Sequence, residues 1–295
     1  MPPRVSIGVP VYNGERHLGQ AIETVLGQDY GDFELLISDN ASTDATEELC
    51  RGYARVDPRV RYSRNAENIG AVANFRRVFD EAGADYFMWA AADDFWSERY
   101  VSSLVSALDA TPSAILACGR TSYVHEDGRP HAKHEDDGPP DASSAIGNGR
   151  RLLSQHAASW IYGLYRRTRI APLLPILWRE HPWGGDIVLL LHLCLNEGVV
   201  GRHTATIFRR ADAANRLAPS SARQVVSWQR WYASALLREV VTSRIGITDK
   251  AEMLGVTVSY LRARFTRRGA GHLMRLWYRA ARQWAASQVP LGRAR

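Results

Sequence analysis

Cysteine is scarce: Cys50, Cys118 and Cys194 are the only three in 295 residues, far apart and without a C-x-x-C spacing. An odd, scattered set excludes a disulfide framework and a thiolate metal site, and reads as small buried hydrophobes in a reducing compartment. Long apolar runs are missing too. The most apolar stretch, DIVLLLHLCLNEGVV, is too short for a bilayer and carries Asp, His and Glu. The opening MPPRVSIGVP moves from prolines straight into a strand-like run, so no secretory leader is expected and a cytoplasmic location is. No G-x-G-x-x-G follows that run, which disfavours a dinucleotide-dependent dehydrogenase. Internal repeats are absent.

What remains is ordinary globular composition, 45% hydrophobic and 23% charged, at a length that suits one large domain or a domain with an appendage. The net charge of +6 is unevenly spread. Residues 221–295 hold 14 Lys and Arg against 3 Asp and Glu, so the tail carries +11 and the remainder −5. A basic tail on an acidic body predicts attraction to an anionic partner: a membrane surface, a lipid phosphate or a nucleic acid.

The first half alternates short apolar runs with amphipathic ones. RVSIGVPVY, FELLISDN, RVRYSR and DYFMWAAADD read as strands. Helical spacing follows the first at Leu18, Ala21, Ile22, Val25 and Leu26. STDATEELCRGYAR, NIGAVANFRRVFDEAG (ending at Gly83) and SERYVSSLVSALDA (with Ser97 as N-cap) are the next helices. Strands alternating with helices predict an α/β fold with a mainly parallel sheet covered on both faces. Ligands bind such sheets at the carboxyl ends of the strands. SDN ends the second strand and ADD the fourth, so both acidic clusters belong to one rim. Adjacent carboxylates at a strand end are costly unless a cation neutralises them, and Mg²⁺ or Mn²⁺ suits oxygen ligands shared with phosphates.

Residues 124–149 are polar, rich in Gly, Pro, Asp and His, and aperiodic. They read as a mobile loop, and solvation explains its histidines better than metal binding does. A helical pattern over 185–198, a strand-like VVGRHTATIF, and a wholly helical region after about residue 217 complete the chain.

Four blocks in this order, VSIGVPVYNGERHLGQAIETVLGQDYGDFELLISDNASTDAT, NAENIGAVANF, AAADDFW and GGDIVLLLHLCLNEG, resemble the inverting glycosyltransferases of family 2 over roughly the first two-thirds of the chain. The resemblance implies a GT-A fold, with a catalytic domain over 1–216 and a basic helical region over 217–295. Within the first, a donor half reaches about 123, the loop follows, and an acceptor part begins near 150. It implies a UDP- or dTDP-sugar donor, a hydroxyl acceptor (a lipid-linked glycan or a small molecule), and Mn²⁺ or Mg²⁺. Pro10, Tyr12 and Asn13 would flank the base, with Tyr12 offering an aromatic face or simple packing. Asp39 would accept the imide N–H of uracil or thymine, or cap the following turn. Arg64, Asn68 and Gly70 would approach the nucleotide. Asp93 and Asp94 would hold the metal, one of them also reaching the ribose. Asp186 would be the base that deprotonates the acceptor, or else a plain helix cap, with Glu180 next in line.

Two departures stand out. Ala91 occupies the first position of the commoner D-x-D-D, and Arg209 and Arg210 stand where many relatives carry a His. These arginines could clamp a diphosphate or be surface charge; His203, nearby, reads as structural. The C-terminal QVVSWQRWYASALLREVV and HLMRLWYRAARQWAAS suit helices packed on the catalytic part, or peripheral membrane contact through Arg, Trp and Tyr. DKAEMLGVTVSYLRARFTRRG has the look of a helix-turn-helix, although nucleic acid is a minor reading. A non-catalytic nucleotide-sugar binder is the other alternative.

Overall fold

The computed structural model describes residues 2–131, 136–139, 144–155, 157–178, 184–211 and 222–265. Strands β1 (Val5–Val11), β2 (Phe33–Asp39), β3 (Val60–Arg64) and β4 (Tyr86–Trp89) pair in parallel in the spatial order β3-β2-β1-β4. Helices α1 (Leu18–Leu26), α2 (Thr46–Val56) and α3 (Ala71–Asp80) make the crossovers. Alternate residues feed two cores. Val5, Ile7, Val9 and Val11 face the one that holds Leu18 and Ile22 of α1. Leu36, Phe87 and Trp89 face the other, against Val78 and Phe79 of α3. Burial on both faces is why these strands are almost continuously apolar. Each such side chain stabilises the fold by about 1.5–3 kcal/mol.

The second half extends the sheet. It comprises β5 (Phe95–Trp96), α4 (Tyr100–Ala110), β6 (Leu116–Val124), α5 (Ala145–Gln155), β7 (Leu164–Arg166), α6 (Arg167–Ile170), α7 (Gly185–Asn196) and β8 (Val199–Arg210). Among the described residues the sheet has eight strands, ordered β3-β2-β1-β4-β7-β6-β8-β5. Only β7 and β5 run antiparallel to their neighbours. The architecture is the expected mostly parallel α/β sheet with helices on its faces.

Four local expectations are corrected. The fourth strand stops at Trp89, so Ala90–Asp94 turn off the sheet before β5 reverses onto β8. Ser97 does not cap α4: its hydroxyl accepts the Thr206 N–H at 3.0 Å, tying the turn to β8. The 124–149 stretch contains order. Val124 bridges to Pro130, and Thr121 to Asp136. Asp136 is buried and accepts the Gly138 N–H at 2.9 Å, and α5 already starts at Ala145. Finally, the would-be helix-turn-helix is one unbroken helix, α9 (Ile247–Phe265), so the DNA-binding reading loses its turn.

Helix α8 (Ala222–Thr242) precedes α9; α8 packs on α7, and α9 packs on α8 and α5. Tyr232, Leu236, Val240, Met253, Tyr260 and Leu261 share one core with Leu189, Leu190 and Leu193. HLMRLWYRAARQWAAS lies outside the described residues. Among the described residues no helix is long and apolar enough to cross a membrane. All three cysteines are buried and unpaired.

Candidate active site

The carboxyl ends of β1, β2 and β3 are level, with Val11 opposite Asp39 and Asp39 opposite Arg64. Asp39 is fully buried. Its Oδ1 accepts the Ser42 N–H at 2.9 Å. Its Oδ2 accepts the Tyr62 hydroxyl at 2.9 Å and Arg64 at 2.5 Å. Burial pushes this carboxyl up, but the donors of Ser42, Tyr62 and Arg64 outweigh it and hold it below the ordinary range. Asp39 is thus tied to the turn that follows it, and Arg64 covers it.

Around this corner, Pro10 is buried within β1, and Tyr12 is 42% exposed just past its end. Asn13 adopts φ 51°, a left-handed conformation that asparagine tolerates. Its N–H donates to the Ser42 hydroxyl at 2.9 Å, and its side-chain oxygen accepts the Thr43 N–H at 2.8 Å. On the far side Asn68 is exposed, and its oxygen accepts Asn40 Nδ2 at 2.8 Å and the Gly70 N–H at 2.9 Å. Gly70 has φ 85° and would admit a Cβ sterically, so its glycine is needed for backbone conformation alone. These residues surround the Asp39 turn beyond the ends of β1 and β2.

Asp93 and Asp94 sit past the end of β4. Asp94 is 2% exposed. Its Oδ2 accepts Arg209 Nε at 3.1 Å, and its Oδ1 accepts the Arg210 N–H at 3.2 Å. Burial pushes its carboxyl up to about 6, with neighbouring Asp93 adding to the rise and Arg209 opposing it. Asp93 is half-buried; Arg210 donates to its carbonyl, while its carboxylate has no hydrogen bond or ion pair among the described residues. Arg210 is buried, reaches Gln20 of α1, and stacks 5.3 Å over Phe95. Of the arginines weighed as a phosphate clamp or surface charge, Arg210 is buried and Arg209 half-buried, and both bond the aspartate pair.

Asp186 lies in the first turn of α7. It does not cap the helix, because the cap position is Gly184, at φ 83°. Asp186 Oδ1 instead accepts the adjacent Ile187 N–H at 2.9 Å. Burial raises its carboxyl, opposed by that N–H and by the charges of Arg264 and Arg209. Glu180 lies outside the described residues, and His203 is exposed on β8.

Electrostatic reach joins these corners. Asp94, Asp93 and Asp186 all act on the Tyr162 phenol, and the Arg209 guanidinium lies 5.2 Å over the Tyr162 ring. Arg209 thus stands between the aspartate pair and Asp186. The β1–α1 segment joins the other side. Asn13 grips the Asp39 turn, while Asp93 and Arg210 act on His17 at its far end. Asp93 and Arg210 are thus within electrostatic reach of the β1–α1 segment, and Asp93, Asp94 and Asp186 of Tyr162. Tyr162 and Arg264 carry no signal in the sequence, since neither sits in a recognisable motif.

Among the described residues no group of three or more His, Cys, Asp or Glu is arranged to hold a metal ion. The aspartate pair offers oxygen donors of the kind a hard cation takes, one carboxylate open and the other pushed up to about 6 by its burial.

The family model for glycosyl transferase family 2 matches residues 6–169. The chain is 32% identical over 108 residues to EpsE of Bacillus subtilis, covering 36% of this chain and 39% of that protein. It is 27% identical over 128 residues to TuaG of the same organism, a glycosyltransferase named for teichuronic acid biosynthesis, covering 43% and 50%. The chain thus spans half or less of these relatives. Among solved structures, TarS 1–349 of S. aureus superposes with a TM-score of 0.67 at 16% identity, covering 90% of this chain and 73% of that one. The same protein has been solved with UDP-GlcNAc, at a TM-score of 0.67 and 15% identity, covering 90% and 74%. The likeness is one of fold, the GT-A arrangement. Carried by a family match over more than half of its length, this chain belongs to glycosyl transferase family 2.

Proposed function

We propose that the protein is an inverting glycosyltransferase that moves a sugar from a UDP- or dTDP-sugar to a hydroxyl acceptor in cell-surface glycan or natural-product glycoside synthesis. The observation that supports this reading is Arg209, which pairs with Asp94 and whose charge also reaches Asp186. The base would lie beyond β1 and β2, near Tyr12 and Asp39. Asp93 and Asp94 would hold Mg²⁺ or Mn²⁺, which when bound supplies positive charge against the departing diphosphate. Asp186 would take the acceptor's proton as the acceptor oxygen bonds to the anomeric carbon and the bond from that carbon to the diphosphate breaks. Arg209 and Arg264 favour the ionised Asp186 needed for that step, countering its burial. A cytoplasmic site of action, with peripheral membrane contact through the basic helices, would bring the enzyme to a lipid-linked acceptor.

The test is a thermal-shift panel of UDP, dTDP, GDP and their sugars with and without Mn²⁺. Uridine or thymidine diphosphate should raise Tm in the presence of metal, and Asp93→Ala should remove the metal-dependent part. A protein that transfers no sugar yet binds a nucleotide sugar would be a binder only. One indifferent to every nucleotide would end the reading.

A further inference from the structure

The basic helix α9 brings one guanidinium to the base helix. Gly184, which starts α7, is pressed against the Tyr232 ring of α8: a Cβ there would come within 2.4 Å of it. The hydroxyls of Tyr232 and Tyr260 bond each other at 2.8 Å. Across both rings lies Arg264, its guanidinium carbon 5.5 Å from the Tyr232 centroid and 6.0 Å from that of Tyr260. The side chain is half-buried and makes no ion pair among the described residues. Its charge nonetheless reaches Asp186.

Packing does not ask for this arginine. The two tyrosine hydroxyls already bond each other, and an apolar side chain would cover their rings without the cost of partly burying a cation, at the loss of one bond to Tyr260. Stacking on aromatic faces returns only about 0.5–2 kcal/mol. What it does is hold the guanidinium plane in one orientation, with donors left for a ligand beyond the one that reaches the Tyr260 hydroxyl. Asp186, which the Arg264 charge reaches, would repel an acceptor carrying negative charge. Arg209 is committed to Asp94, so it cannot neutralise such a group. Arg264 has no carboxylate partner of its own among the described residues.

The geometry points to an acceptor that carries an oxyanion, phosphate or carboxylate, close to the hydroxyl that is glycosylated, with Arg264 as the residue that binds that anion. This rests on the glycosyltransferase reading and names its acceptor class. It also gives α8 and α9 a role, because they complete the acceptor side of the cleft.

The full chain, saturated with UDP, is titrated calorimetrically with two pairs of probes: sn-glycerol 3-phosphate against glycerol, and methyl β-D-glucuronide against methyl β-D-glucoside. At least one anionic member should bind about tenfold or more tighter than its neutral twin, a gap of about 1.4 kcal/mol. The pair that shows the gap identifies phosphate or carboxylate. Arg264→Gln should erase the preference and leave UDP affinity unchanged, whereas Arg264→Lys should keep part of it, because a point charge replaces a bidentate fork. UDP binding and Tm of each variant report whether the fold survives. The inference is overturned if neither anion outbinds its twin, or if Arg264→Gln retains the preference. Should UDP fail to bind wild-type protein, the donor reading fails separately, and the same ratio measured without UDP decides this one.

Discussion

Asp39, at the end of β2, and Asp94, in the turn after β4, both have almost no exposure, yet they sit on opposite sides of their ordinary pKa. Asp39 receives Ser42, Tyr62 and Arg64 and has no like charge adjoining it in sequence. Asp94 receives one arginine and one backbone N–H, and has Asp93 beside it. The first corner is electrostatically complete as folded. The second is short of positive charge, and so is Asp186, whose carboxyl burial also raises. Burial alone therefore does not set the direction of a carboxyl's pKa; the donors it receives decide whether burial prevails.

The largest test of that contrast exchanges its two sides. Asp186→Asn should lower transfer by about 10²–10⁴-fold, the usual worth of a positioned base, with donor binding and Tm nearly unchanged. Asp39→Asn should instead cost about 1.5–3 kcal/mol of stability, since bonds to a charged acceptor are lost inside the protein. Steady-state rates and urea melts on the two variants decide it. An Asp186→Asn enzyme at near wild-type rate would strip that residue of its role.

Next comes the partner of Asp94. Arg209→Gln leaves a buried carboxylate with one backbone donor, and should destabilise the fold by about 3 kcal/mol. Adding Asp94→Asn should restore a good part, because the stranded charge is gone. If the double variant is no more stable than Arg209→Gln alone, the arginine acts through Tyr162 packing instead of through Asp94.

The N-terminal rim was largely legible. Short apolar runs alternating with 3.6-period helices point to β1 to β4 with α1 to α3, and that order puts Asp39 and the Asp93–Asp94 pair toward one edge. Strands β6 and β7 have no such signal: Gly119 and Arg120 interrupt the one at a register shift, and the other is three residues long. Ser97 had the chemistry of a cap but was claimed by β8, a contact across more than a hundred residues. In α9, Gly255 suggested a turn, but a helix tolerates one exposed glycine for about 1 kcal/mol, and the packing of Met253, Thr257 and Tyr260 outweighs that. Arg209 could be named in advance but not its partner, and Arg264 not at all. Such pairings depend on tertiary closure.

The pH dependence of stability should differ in sign between the corners. Asp94 binds its proton more tightly folded than unfolded, so its contribution is present below about pH 4 and is lost as pH rises through about 6. A shift of about two units corresponds to roughly 3 kcal/mol. Melts of wild type and Asp94→Asn between pH 4 and 7 should therefore diverge, wild type losing ground as pH rises. Asp186 acts in the same direction. Asp39, held low, does the reverse: its contribution is present above its unfolded pKa and is lost as pH falls through the folded one. Equal slopes in wild type and Asp94→Asn would mean that Asp94 is already neutralised, leaving no charge deficit for a cation to fill.

The smallest effect belongs to Arg64, which lies at the surface over Asp39. Arg64→Gln removes a charge and one donor but leaves the Ser42 N–H and the Tyr62 hydroxyl in place. The Asp39 carboxyl should rise toward the ordinary range and stay ionised at neutral pH, so stability at pH 7 should scarcely move. The acid limb should move: with less depression of the folded pKa, stability is lost at a higher pH. Far-UV circular dichroism during acid titration reads this directly. An acid limb unmoved in Arg64→Gln but shifted in Tyr62→Phe would mean that hydrogen bonds, and not the guanidinium charge, complete the Asp39 corner. The contrast with Asp94 would then be one of donor number, and a divalent cation at Asp93–Asp94 would be filling empty coordination as much as balancing charge.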